Sequence, residues 1–142
     1  MFENTLFHVI RVILQEHTAR WSTLMPDLTK PQYSVLEALD REPELDQLSL
    51  GQASATTRAT LTEMLARMEK RGLIERRTDE KDGRQKRVTI TPAGRKMLLA
   101  ARPVADRVTD SLIYELSPEE LAQLQQLLQK MLRQARKQEK FD

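Results

Sequence analysis

Cysteine is absent from this 142-residue chain. That excludes a thiol nucleophile, thiol redox sensing and Cys-ligated metal, and it fits a reducing compartment, so the cytoplasm is the expected location. Histidine is almost as scarce: His8 and His17 both fall in the first helical segment. There is no Gly-rich phosphate loop and no metal-ligand spacing, so no catalytic site, cofactor or metal is expected and an enzyme is disfavoured. Glycine (4) and proline (6) are few, and 39% of the residues are hydrophobic. That composition argues against disorder and for a helix-rich globular protein. No apolar run approaches the roughly 18 residues needed to span a bilayer. The first segment, Phe2–Leu14, is broken by Glu3, His8 and Arg11, unlike a signal peptide.

Charge of one sign is also lacking overall, since the net is only +2, but its placement is uneven. Residues 1–66 hold 5 basic and 9 acidic side chains, whereas residues 67–87 hold 9 basic and 5 acidic. Residues 88–142 return to a net of +2. The concentration of positive charge in residues 67–87 is what a polyanion would meet first; the plainer alternative is a solvated charged surface.

Hydrophobic periodicity organises one domain of mainly α structure with a small β-hairpin (α+β). Leu6, Val9, Ile10, Ile13, His17, Trp21 and Leu24 share a face of a first helix over Glu3–Met25, stopped by Pro26. Thr29 with Gln32 makes a capping box for a second helix, which Pro43 ends. A short third helix runs from Asp46 to Ser54, and a fourth from Thr57 to Gly72. Two strand-like runs follow, Leu73–Thr78 and Lys86–Thr91, around Asp82-Gly83, a pair suited to a tight turn. Thr91-Pro92 opens a fifth helix, with Pro103 inside it expected to kink it. Ser117 with Glu120 caps a sixth, whose Leu121, Leu124, Leu128, Met131 and Ala135 recur at near-heptad spacing, with Leu127 and Leu132 as further apolar positions. A helix apolar on more than one side wants a second packing partner, so a dimer is expected through helices 1, 5 and 6.

Helix four, hairpin and basic tip in that order point to a DNA reader. At 100° per residue Leu61, Met64, Leu65 and Met68 face inward. Ala59, Glu63, Ala66 and Lys70 face outward, flanked by Thr60, Thr62 and Arg67. Small residues let a helix approach the groove floor, and Ala or Thr methyls suit thymine. Thr57, Arg58 and the first-turn N–H groups suit phosphate oxygens. Glu63 has two readings: an acceptor for cytosine N4, or a partner for Arg67 at i+4, of which the second is favoured. At the tip, Arg84 is the candidate for the minor groove, with Asp82 placed to hold its guanidinium, while Lys81, Lys86 and Arg87 suit phosphates. Alternation turns one of Arg76 and Arg77 back against the domain.

These residues carry a resemblance to the MarR family of bacterial winged-helix regulators. It is densest over Arg58-Ala59-Thr60-Leu61-Thr62 and from Met68-Glu69-Lys70-Arg71-Gly72-Leu73 to Arg77. It continues through Asp82-Gly83-Arg84, like the family's wing Asp-x-Arg, to Thr91-Pro92-Ala93-Gly94. The resemblance spans essentially the whole chain and implies a winged helix-turn-helix lobe over 29–91, with dimerisation helices in 1–28 and 92–142. It implies a homodimer on double-stranded DNA, at an inverted-repeat operator, usually as a repressor and often released by a small aromatic or phenolic effector. Ala55 stands where the family usually has Gly, Ser54 and Thr56 where it has apolar residues, and Glu63 where it often has a basic one. By analogy, ligand-binding candidates are His8, Arg11, His17, Arg20, Trp21 and Tyr33. Arg11 or Arg20 suits a carboxylate and Trp21 or Tyr33 suits a ring, against structural roles for His17 and Trp21. The competing class is a winged-helix protein-interaction or chromosome-architecture module without a small-molecule response.

Overall fold

The computed structural model describes residues 2–54, 57–78 and 86–137. Among them, helices and strands run in the order α1 (Phe2–Leu24), α2 (Lys30–Arg41), β1 (Leu45–Asp46), α3 (Gln47–Ser54), α4 (Arg58–Lys70), β2 (Ile74–Thr78), β3 (Lys86–Ile90), α5 (Pro92–Ile113) and α6 (Pro118–Lys137). The fold is mainly helical with one small antiparallel sheet, a winged-helix arrangement.

The helix starts follow from their caps. Thr29 Oγ1 accepts from the Gln32 N–H at 3.3 Å while Gln32 Oε1 accepts from the Thr29 N–H at 3.0 Å. Ser117 and Glu120 repeat the reciprocal pair at the head of α6, at 3.1 and 2.9 Å. Each box satisfies two donors that a helix start would otherwise orphan. Asp46 Oδ1 accepts from the Ser49 N–H at 2.8 Å in the first turn of α3. α5 continues past Pro103 as one helix.

The expected two-stranded hairpin gains a third strand. The sheet order is β1-β3-β2, with Leu45 opposite Val88 and Ile74 opposite Ile90. Two residues are too few for alternation to be seen in sequence, so β1 becomes visible only through its pairing. The sheet, α2, α3 and α4 close over Leu36, Leu39, Leu50, Leu65, Met68 and Val88, all fully buried. On α5 the buried positions are Gly94, Leu98, Ala101 and Val108, whereas Met97 and Val104 are only half-buried.

Met1–Val108 and Thr109–Asp142 form two compact units. In the first, the apolar face of α1 is only partly covered. Trp21 is buried, but Leu6, Val9 and Ile13 are 40–48% exposed, with Phe7 and Leu14 more so. In the second, α6 has no buried residue, and Leu124, Leu127, Leu128, Met131 and Leu132 are all exposed.

An ion network ties α5 to α2. Arg102 donates to Glu37 at 2.7 Å and to Asp40 at 2.6 Å, and Arg95 adds a 3.3 Å bond to Asp40. The Arg102 guanidinium holds both carboxyls below their ordinary ranges. A depressed folded-state pKa contributes stability that is present above the unfolded value and lost as pH falls through the folded one. An Arg102→Met protein is therefore expected to melt a few degrees below wild type at pH 7. That gap should begin to narrow as the pH enters the ordinary carboxylate range and close only below it, where the two depressed carboxyls are protonated in the folded protein as well. Thermal melts across that range check it; a gap that stays constant would show that the network contributes no pH-dependent stability.

Candidate nucleic-acid interface

The helix expected from the sequence to face DNA is α4 (Arg58–Lys70). Leu61, Met64, Leu65 and Met68 are buried along one side, and Ala59, Thr60, Thr62, Glu63, Ala66, Arg67 and Lys70 are exposed on the other. The apolar stripe fixes the roll of the helix, and the roll decides which residues a duplex would meet. Thr57 caps the helix: its Oγ1 accepts from the Thr60 N–H at 3.3 Å and donates to Thr60 Oγ1 at 2.9 Å. The hydroxyl expected to meet a phosphate is thus engaged in the cap, and Arg58 and the first-turn N–H groups remain as candidates for phosphate. Thr62 Oγ1 likewise donates back to the Arg58 carbonyl at 3.0 Å. That leaves its methyl as the group suited to a thymine methyl. Glu63 and Arg67 form an exposed pair at 2.6 Å.

The wing is anchored by a contact that sequence reading left ambiguous. Arg76, in β2, donates through Nε and Nη2 to Glu69 Oε1 at 3.1 and 2.9 Å, and its backbone N–H reaches Glu69 Oε2 at 3.3 Å. Charged, multidentate bonds of this kind restrict geometry more than a single neutral one. The recognition helix and the base of the wing are therefore held in one orientation. Alternation showed that one of Arg76 and Arg77 must point inward; Arg76 does, at 17% side-chain exposure, against 77% for Arg77. Nothing in the spacing marked Glu69 as the partner, because the helix C-terminus and a turn intervene. Arg87 is half-buried in β3, opposite Asp46 and Arg77. Lys86 opens β3. Lys81, Asp82 and Arg84 lie outside the described residues, as do Ala55 and Thr56. Ser54, the remaining departure of the helix-turn-helix, is buried with its hydroxyl donating to the Leu50 carbonyl at 2.8 Å, so the polar group is satisfied.

Of the ligand-binding candidates, three converge. The rings of Trp21 and Tyr33 lie 5.1 Å apart at 55°, and His17 is one helical turn before Trp21. A cavity of about 170 Å³ at the α1–α2 junction is lined by Thr18, Trp21, Met25, Leu28 and Lys30 among others. Sequence reading did not single out Lys30. Burial, followed by the charge of Lys30, lowers the pKa of His17. Its buried Nδ1 has no hydrogen-bond partner among the described residues. Tyr33 donates to Glu37 at 2.9 Å, and burial, with that bond and the Glu37 charge, pushes its phenol up to about 12. Tyr33 is a neutral donor at neutral pH. The remaining candidates stand apart. Arg20 pairs with Glu16 at 3.4 Å, and His8 and Arg11 are exposed on α1, about 13 and 9 Å along the axis from His17 at 1.5 Å per residue.

The MarR family model matches residues 28–86. Transcriptional regulator HosA of Escherichia coli is 46% identical over 129 residues, covering 91% of this chain and 96% of HosA. The structure of Bordetella bronchiseptica BpsR, whose DNA binding is described as regulated by 6-hydroxynicotinic acid, is similar at TM-score 0.83 and 32% identity, covering 89% of this chain and 98% of BpsR. A mutant MarR of E. coli complexed with operator DNA is similar at TM-score 0.82 and 25% identity, over 90% of this chain and 94% of that one.

Proposed function

The chain belongs to the MarR family of transcriptional regulators, and from that premise we propose that it is a homodimeric repressor, released from an inverted-repeat operator by a small aromatic or phenolic ligand. The observation that carries the reading is the roll of α4, which buries four apolar residues and turns small and polar ones outward beside an anchored wing. Arg58 and the first turn of α4 hold phosphates, Ala59, Thr62 and Ala66 face bases, and Lys81, Arg84, Lys86 and Arg87 extend the contact from the wing. Its place of action is then the cytoplasm, where operator DNA lies. The apolar side chains exposed on α1 and on α6 support a second copy of the chain as partner, because several recur along each helix rather than standing singly. For the effector, the likeness to BpsR and the Trp21–Tyr33 pair beside an unpartnered His17 nitrogen favour an aromatic ring bearing a polar group.

Selection from a random duplex library tests this reading. The expected outcome is an enriched inverted repeat with half-site centres about 34 Å apart. Its affinity should fall steeply between about 50 and 200 mM salt as phosphate contacts release counterions. Addition of 6-hydroxynicotinic acid, then of other hydroxylated aromatic acids, to the complex checks release. A library from which nothing is enriched would refute the DNA-reading role and leave the protein-interaction alternative; an enriched site that no such acid releases would refute the effector class alone.

A further inference from the structure

The only acidic side chain on the outward face of α4 is Glu63, and it is paired with Arg67 one turn on. Both partners are largely exposed, at 67% and 71% of their side chains. An exposed i,i+4 pair contributes very little to stability, so this one is readily opened. While it is closed, it neutralises a cation on the surface that would meet a polyanion. A carboxylate there is repelled by the phosphates of both strands, and among base edges in the major groove the amino group of cytosine is the donor that suits it. Adenine also presents an amino group, but beside N7, an acceptor that repels a carboxylate.

We propose that Glu63 is the specificity-setting residue of the recognition helix. It accepts from cytosine N4 at one position of each half-site, and on other sequences it keeps Arg67 from acting as a sequence-blind phosphate contact. The inference rests on α4 being the DNA reader. On the right site, Glu63 turns to the cytosine and Arg67 is released towards the backbone or a guanine O6/N7. On the wrong one, Glu63 stays unpaired with any base, and the pair remains closed or the bare carboxylate faces phosphates. Discrimination arises by penalising wrong sequences as well as by rewarding the right one.

The test uses the full-length chain and two probes: the duplex enriched from the random library and an unrelated duplex of the same length. Glu63→Gln removes the charge and keeps a carbonyl acceptor. It should bind the unrelated duplex about tenfold more tightly, steepen the salt dependence there by about one released counterion, and shift its preference at one position from C·G towards A·T, whose adenine N6 and N7 suit an amide. Arg67→Ala should weaken both probes yet keep that C·G preference, because Glu63 is still present. The exposed pair leaves the fold intact, which matching melting curves verify. An unchanged ratio of specific to non-specific affinity in Glu63→Gln would overturn the proposal, as would an equal loss on both probes. If wild type enriches no sequence, it is instead the DNA-reading role that fails.

Discussion

A Gly94→Ala protein is expected to lose about 2–3 kcal/mol of stability, although alanine is the better helix former. Gly94 sits in the first turn of α5, and a Cβ there would run into the Leu73 carbonyl oxygen, with Ile90 Cγ1 at 2.9 Å beyond it. The obstacle is backbone. The Leu73 carbonyl accepts from the Thr91 N–H at 3.1 Å, so moving it away breaks the bond that seats α5 against the start of β2. Thr91 reinforces the same corner, since its Oγ1 donates to the Gly72 carbonyl and accepts from the Gly94 N–H. The propensity gain of about 1 kcal/mol is smaller than the clash it brings. Gly72 is an instructive control. Its φ is +78° with open space around the Cβ position, so Gly72→Ala should cost only the left-handed strain, about 1–2 kcal/mol, and Gly72→Asn less. Denaturant titration with unchanged slope gives both differences. Gly94→Ala proving as stable as wild type would mean that α5 can slide on the wing without cost.

That corner shows where sequence reading reaches and where it stops. Thr91-Pro92 announced the start of α5 through cap chemistry, which is local. The need for glycine at 94 is a contact across 21 residues with Leu73, and no local pattern encodes it. The same division runs through the site. The inward set of α4 was legible because a 3.6-residue period acts on adjacent turns, and the buried residues Leu61, Met64, Leu65 and Met68 are the ones it selects. The strand β1 and the Arg102 network join elements distant in sequence, and the Glu69–Arg76 anchor crosses a helix end and a turn, so their partners carried no mark. α1 reveals a different limit. Its apolar stripe was read correctly as a stripe, but period alone does not say whether a face is covered by its own chain, and Leu6, Val9 and Ile13 are exposed within one. Thr57 and Thr62 mark a third. Side-chain type alone does not show that the Thr57 hydroxyl is engaged in the helix cap and the Thr62 hydroxyl on the Arg58 carbonyl, which leaves the Thr62 methyl as the group suited to a base.

The largest stability loss is expected at Trp21, where structure and ligand binding compete as explanations of one side chain. Trp21 is 3% exposed, its Nε1–H donates to the Leu28 carbonyl at 2.6 Å, and its ring leans on Tyr33. The bond closes the α1–α2 junction, where Pro26 interrupts the helical hydrogen-bond pattern and an acceptor would otherwise be buried alone. Trp21→Ala removes the ring and the donor together and should cost about 3–5 kcal/mol. Trp21→Phe keeps most of the packing but strands the carbonyl, for about 1–3 kcal/mol. If Trp21→Ala lost less than about 1 kcal/mol, the junction would not depend on this residue. Trp21→Phe then separates the two roles, because it should remain folded and able to bind the selected operator. Effector affinity equal to wild type would make Trp21 a residue of the fold alone. A tenfold weaker effector response with operator binding unchanged would show that the ring which closes the junction also forms a wall of the ligand site. The unpartnered His17 nitrogen one turn away would then be the neighbouring polar contact to vary next.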